Sequence, residues 1–107
     1  MTAISAVIIT LNESRNIGRC IDSMEGVVDE VIVVDSHSTD DTVAICEAKG
    51  ATVIDTDWKG YSQTKNFANS QASHSYILSM DADEALSPEL REAILQAKQS
   101  GLTTFTP

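Results

Sequence analysis

The chain has 107 residues, room for one domain with a real core but little for an enzyme holding two substrates. Hydrophobic residues make up 42% and charged residues 21%, an ordinary globular balance, and no apolar run approaches membrane-spanning length. A net charge of -9 argues against sequence-independent nucleic-acid binding, yet permits a phosphorylated ligand if a metal ion and backbone N–H groups supply the positive potential.

Ala3 to Leu11 (AISAVIITL) is nearly continuous and β-branched, as in a strand covered on both faces of a parallel sheet. After Asn12-Glu13-Ser14, the residues Ile17, Cys20, Ile21 and Met24 recur at helical spacing, and Gly26 is a plausible stop. Val31 to Val34 reads as a second buried strand ending in Asp35. Ser38 to Asp41 fits a capping box ahead of a helix through Ala44, Ile45 and Ala48, with Gly50 as its C-terminal glycine. Ala51 to Ile54 reads as a third strand of the same kind, then Asp55 to Gly60 is turn-like. Tyr61 to Ser70 carries a weak helical stripe. Tyr76 to Met80 is a fourth strand. Ser87 and Pro88 suit an N-cap and first helical residue, opening a helix through Leu90, Ala93, Ile94 and Ala97 that closes near Gly101.

Strands alternating with helices imply βαβ units, right-handed crossovers and a mostly parallel sheet with flanking helices. Cys20 and Cys46 fall within apolar helical patterns and form no C-x-x-C pair, so they read as reduced core thiols of a cytosolic protein. The absence of a basic leader region suits the same compartment. The polar breaks after strands one, two and four all lie at C-terminal strand ends, the edge where open α/β sheets bind ligands.

The last of these breaks, Asp81-Ala82-Asp83-Glu84, has the most pointed chemistry. Two carboxylates two residues apart leave an extended backbone on one face and repel unless a cation neutralises them. Hard ions such as Mg²⁺ or Mn²⁺ prefer an oxygen site completed by phosphates and water. A solvated acidic loop has the same composition, so the tetrapeptide alone does not decide.

Four segments taken together do more: ISAVIITLNES, VDEVIVVDSHSTDDTVAI, GYSQTKNFA and SYILSMDADE, in that order and spacing. They resemble family 2 glycosyltransferases of the GT-A fold, in particular the bacterial enzymes that build lipopolysaccharide core and other envelope glycans. The resemblance runs from about Ile4 to Leu95. It implies that Thr10, Leu11, Asn12 and Glu13 line a nucleotide pocket and that Asp35 accepts a hydrogen bond from the base, as a uracil N3–H would offer. It implies further that Lys65 lies near the nucleotide or its phosphates. Asp81 would contact the ribose or a metal-bound water, sharing the metal site with Asp83, its direct ligand. The implied donor is a nucleotide-sugar, UDP-linked by preference, and the implied acceptor a glycan or lipid-linked sugar, with inversion at the anomeric carbon. Peripheral association of a longer protein with the inner membrane face would follow from such an acceptor. The general base of that family lies downstream of the metal motif, so residues 1–107 are expected to be the donor-binding half of a truncated domain, with the base beyond Pro107.

The family pattern also has a glycine after the second-strand acid and its neighbour, where this chain has His37 in Asp35-Ser36-His37-Ser38. Blander roles exist for each residue: Asp35 as a helix cap, Lys65 as a solvated lysine, Glu84 as rim charge, Trp58 as packing. His37 and His74 lack the partners of a zinc site. Two other classes compete. A receiver-like phosphoacceptor domain would suit the size and strand-end acids, and a nucleotidyltransferase would share the metal. A module that binds nucleotide without turnover is a third.

Overall fold

The computed structural model describes residues 2–100. Four strands alternate with four helices: β1 (Ile4–Thr10), α1 (Ile17–Ser23), β2 (Glu30–Asp35), α2 (Thr42–Ala48), β3 (Thr52–Asp55), α3 (Tyr61–Ser70), β4 (Tyr76–Asp81) and α4 (Pro88–Gln99). The strands form one all-parallel sheet in the order β3-β2-β1-β4.

Alternation along the strands builds a layer on each side of the sheet. Ile4, Ala6 and Ile8 of β1, with Val33 of β2 and Leu78 and Met80 of β4, face α1, α2 and α4. There they pack with Ile17, Cys20, Ile21, Met24, Cys46 and Ile94. Val7, Ile32 and Val34 point the other way, against Ala68 of α3. The whole helical stripe read for α1 is buried. Burial pushes the Cys20 thiol up to about 12 and the Cys46 thiol up to about 11, so both are inert, unpaired core side chains.

Several local expectations need correction. β1 ends at Thr10, and Leu11 is outside it and exposed. The strand order puts β3 and β4 at the edges, so Thr52, Asp55 and Ile77 are exposed and neither strand is fully buried. The helix over Tyr61–Ser70 is complete despite its weak stripe, because its two buried positions are Thr64 and Ala68, one polar and one small. The capping box does not form. Ser38 turns its hydroxyl to Asp35, and the start of α2 is held by Asp40, which accepts from the Thr42 N–H at 3.0 Å and from its hydroxyl. Those Thr42 bonds hold the Asp40 carboxyl down at about 2. Gly50 does follow the α2 C-cap at φ 83. Ser87 accepts from the Leu90 N–H at 3.1 Å as an N-cap, with Pro88 next. The closure near Gly101 and the tail to Pro107 lie outside the described residues. Within them, no helix is long and apolar enough to cross a membrane.

Candidate active site at the sheet's switch point

In the order 3-2-1-4 the chain winds outward from β1 in one direction and then returns to its other side. The crevice outside the carboxyl ends of β1 and β4 is therefore the topological switch point, where doubly wound sheets take ligands. The receiver-like alternative requires the order 2-1-3-4-5, with β3 beside β1. Here β1 pairs with β2 and β4, which removes that reading.

A cleft of about 450 Å³ occupies this crevice, lined by Ile9, Thr10, Leu11, Glu13, Trp58, Tyr61, Asp81, Ala82 and Asp83. The parallel register sets Ile9 beside Asp81, so the end of β1 forms one wall and the acidic turn another. The third wall is aromatic. Leu11, Trp58 and Tyr61 are 54%, 52% and 60% exposed, large apolar groups left uncovered around one opening. From the sequence, Trp58 could stack on a sugar but as a lone aromatic beside a turn reads first as packing, and Tyr61 has no role assigned. Their common place depends on the β3–α3 loop returning over the rim, which no local pattern encodes.

Of the eight residues singled out from the sequence, Thr10, Leu11, Glu13, Asp81 and Asp83 line the cleft, while Asn12, Asp35 and Lys65 do not. Asn12 joins two loops. At φ 53, its side-chain oxygen accepts from the Thr39 N–H at 2.8 Å and the Asp40 N–H at 3.3 Å, and its own N–H donates to Ser38 Oγ at 2.8 Å. Asp35 is wholly buried. Its carboxylate accepts from Thr10 Oγ1 at 2.6 Å, Ser38 Oγ at 2.6 Å and the Ser38 N–H at 2.8 Å. Lys65 lies over the Tyr61 ring, its Nζ 5.9 Å from the ring centre.

The backbone N–H groups entering α1 are also spoken for. Those of Asn12, Glu13 and Ser14 donate to Ser38, Thr42 and Asp40 respectively. These three main-chain donors are therefore already engaged within the chain. Asp81 and Asp83, by contrast, are exposed, and their carboxylates make no hydrogen bond or ion pair among the described residues. Glu84 is turned back, accepting from the Asp81 N–H at 2.8 Å, and Arg19 donates to the Asp83 carbonyl at 3.2 Å. No group of three or more His, Cys, Asp or Glu side chains suited to a metal ion occurs among the described residues. Two unclaimed carboxylates beside an open cleft nonetheless fit Mg²⁺ or Mn²⁺, which bind through one or two carboxylates plus phosphate and water.

The fold defines an α/β protein of the GT-A, Rossmann-like type. The model of glycosyl transferase family 2 matches residues 5–105, and the chain belongs to that family. A Rickettsia felis protein named an uncharacterized glycosyltransferase is 56% identical over 94 residues, covering 88% of this chain and 33% of the relative. The lipopolysaccharide core biosynthesis glycosyltransferase LpsC of Rhizobium meliloti is 39% identical over 100 residues, covering 85% and 35%. Among solved structures, glucosyl-3-phosphoglycerate synthase of Mycobacterium tuberculosis with Mn²⁺, UDP-glucose and phosphoglyceric acid superposes at a TM-score of 0.66. It shares 30% identity, covering 78% of this chain and 35% of the synthase. The same enzyme has been solved with Mg²⁺ and UDP. The chain spans about a third of the length of the curated relatives it matches.

Proposed function

We propose that this chain forms the donor-binding part of a metal-dependent glycosyltransferase. It takes a sugar nucleotide, UDP-linked by preference, in the cleft between β1 and β4. One observation carries the reading: Asp81 and Asp83 present free carboxylates to that cleft, while the neighbouring main-chain N–H groups are already bonded. A diphosphate brought to a chain of net charge -9 then needs a cation to neutralise it. Asp83, with Asp81, would hold Mg²⁺ or Mn²⁺. When bound, such an ion acts as a Lewis acid toward the departing diphosphate, an effect worth several kcal/mol.

The protein's own residues bind and orient. Thr10, Leu11 and Glu13 form the β1 wall, Trp58 and Tyr61 offer flat apolar faces to a ring, and Lys65 packs its ammonium over the Tyr61 ring. Asp35 contributes by fixing Thr10, and its direct contact with a base would require the Ser38 bonds to open. The likeness to LpsC supports a glycan or lipid-linked acceptor in envelope polysaccharide synthesis.

Calorimetry with UDP tests the reading. Affinity should be higher with Mn²⁺ or Mg²⁺ than with chelator, and Asp83→Ala should erase the difference while the protein stays folded. Equal affinity with and without metal in the parent protein would sink it.

A further inference from the structure

The β2–α2 loop turns at His37, whose backbone and ring are both engaged by the next rim segment. His37 sits at φ 57, a left-handed conformation costly for a side-chain-bearing residue. Three bonds to one neighbouring segment hold it there. Its N–H donates to Asp55 Oδ1 at 2.9 Å, its Nδ1 lies 3.0 Å from the Asp55 carboxylate, and its Nε2 lies 2.6 Å from Asp57 Oδ1. Asp55 ends β3 and Asp57 immediately precedes Trp58, the aromatic wall of the cleft. We infer that His37 is a positioning residue, a latch that fixes the β3–α3 loop and thereby sets Trp58 and Tyr61 against the donor cleft.

The latch is sensitive to protonation by its geometry. An imidazolium donates from both nitrogens, one to each carboxylate, whereas a neutral ring has one donor and one lone pair, so one of the two contacts becomes repulsive. Asp55 and Asp57 are the charged side chains in contact with the ring among the described residues, and Asp35, two residues earlier, faces inward to Thr10 and Ser38. Bonding to Asp57 first, then to Asp55, raises the His37 pKa above its ordinary 6.5. Because the folded-state value is raised, the latch is complete below 6.5 and is lost as pH rises through the folded value.

That the cleft takes a nucleoside diphosphate rests on the function proposed above, so the test has a ligand-free arm. Trp58 is the single tryptophan and His37 one of two histidines. The other, His74, sits at the far end of the sheet, its N–H on Ser5 Oγ. Tryptophan emission should be followed from about pH 5.5 to about 9, the range in which histidines titrate. The parent and His74→Gln should share a transition with a midpoint above 6.5. His37→Gly, which keeps the left-handed backbone at no steric cost, should lose it. A flat parent profile, or a transition that survives His37→Gly, overturns the inference.

With UDP and Mg²⁺, parent affinity should fall roughly two- to tenfold across that midpoint, as for one lost hydrogen bond, and His37→Gly should not show the fall. The nucleotide's own ionisation is common to both proteins. If UDP binds neither protein while the emission transition still follows His37, the donor reading fails and the latch stands. Equal pH dependence of binding in the two proteins refutes the latch's hold on the cleft.

Discussion

Acidic side chains stand at both ends of the parallel strands, and their acceptor atoms meet different fates. At the amino ends, Asp29 Oδ2 accepts from the Ile4 N–H at 2.8 Å and from the buried ammonium of Lys98 at 2.9 Å. Glu30 accepts from Ser5 Oγ at 2.6 Å and from both the N–H and hydroxyl of Ser73. A cleft of about 400 Å³ opens there too, with Asp22, Asp29 and Glu30 in its lining, but Asp22 is paired with Lys49 at 2.9 Å. At the carboxyl ends, Asp35, Asp40 and Asp55 are likewise consumed by hydroxyl and N–H donors, and Asp81 and Asp83 are not. The two clefts are similar in size. What separates them is the pattern of free acids: the carboxyl-end cleft has two unclaimed carboxylates two residues apart, Asp81 and Asp83, whereas at the amino end only Glu25 of the lining acids lacks a partner among the described residues. A spent acid organises the chain, and an unspent one can bind something.

That distinction predicts opposite signatures in mutants. The largest loss of stability should come from Asp35→Ala, which strips three bonds from Thr10 and Ser38 at a wholly buried point where the β1 and β2 ends meet. Leaving such donors unsatisfied costs about 2–4 kcal/mol, readable as a lowered midpoint in urea unfolding. Asp35→Asn should recover only part of this. An amide can accept from the two hydroxyls through its oxygen, but its nitrogen then confronts the Ser38 N–H, donor against donor. If Asp35→Ala unfolds at the parent's midpoint but loses UDP affinity, Asp35 is a ligand contact after all.

Residue type and periodicity made the strands legible, because β-branched runs between polar breaks admit few other readings, and alternation with helices dictated the parallel sheet. Thr10, Leu11, Glu13, Asp81 and Asp83, given roles by the family resemblance, do line one cleft, because each need only be placed at a strand end to meet the others. Strand-end placement does not tell which partner claims a polar atom. Nothing local to Asp35 tells that Thr10, 25 residues earlier, will claim one of its oxygens. The partners of Asn12 are equally non-local, its amide oxygen accepting from Thr39 and Asp40. For His37 a signal existed: a histidine in the polar break after the second strand, and two aspartates at alternate positions, Asp55 and Asp57, on the next rim segment.

A smaller loss should follow from Lys98→Met, which keeps the side chain's length and removes its charge. Lys98 Nζ donates to the Val27 carbonyl at 2.7 Å as well as to Asp29, so the variant strands a buried carbonyl while the half-exposed Asp29 turns to water. We expect about 1–2 kcal/mol. The bond to Lys98, and after it the Ile4 N–H, hold the Asp29 carboxyl below its ordinary 3.8. With a depressed folded-state value, the stabilisation is present above 3.8 and disappears as pH falls through the folded value. Unfolding of the parent should therefore show a steeper acid slope below about pH 4 than Lys98→Met does. Equal slopes would mean that Asp29 is not held by this pair.

The smallest effect on stability, and the sharpest test of the comparison, belongs to Asp83→Ala. The side chain is exposed, and its carboxylate has no partner whose loss the fold would feel. The Arg19 contact is to the Asp83 carbonyl, which alanine retains. Removing a carboxylate from a chain of net charge -9, with Asp81 close by and Glu84 next in sequence, also relieves some repulsion. The change in unfolding free energy should lie within about 0.5 kcal/mol of zero, in either direction. Binding should respond quite differently, since the metal-dependent part of UDP affinity is expected to vanish in the same variant. The pair of measurements separates the alternatives for this acid. A variant that loses stability and keeps metal dependence would make Asp83 a spent acid like Asp29, held by contacts the structure does not contain. One that keeps both would leave the rim charge without a ligand, and the switch-point cleft would have to bind through its β1 edge and aromatic wall alone.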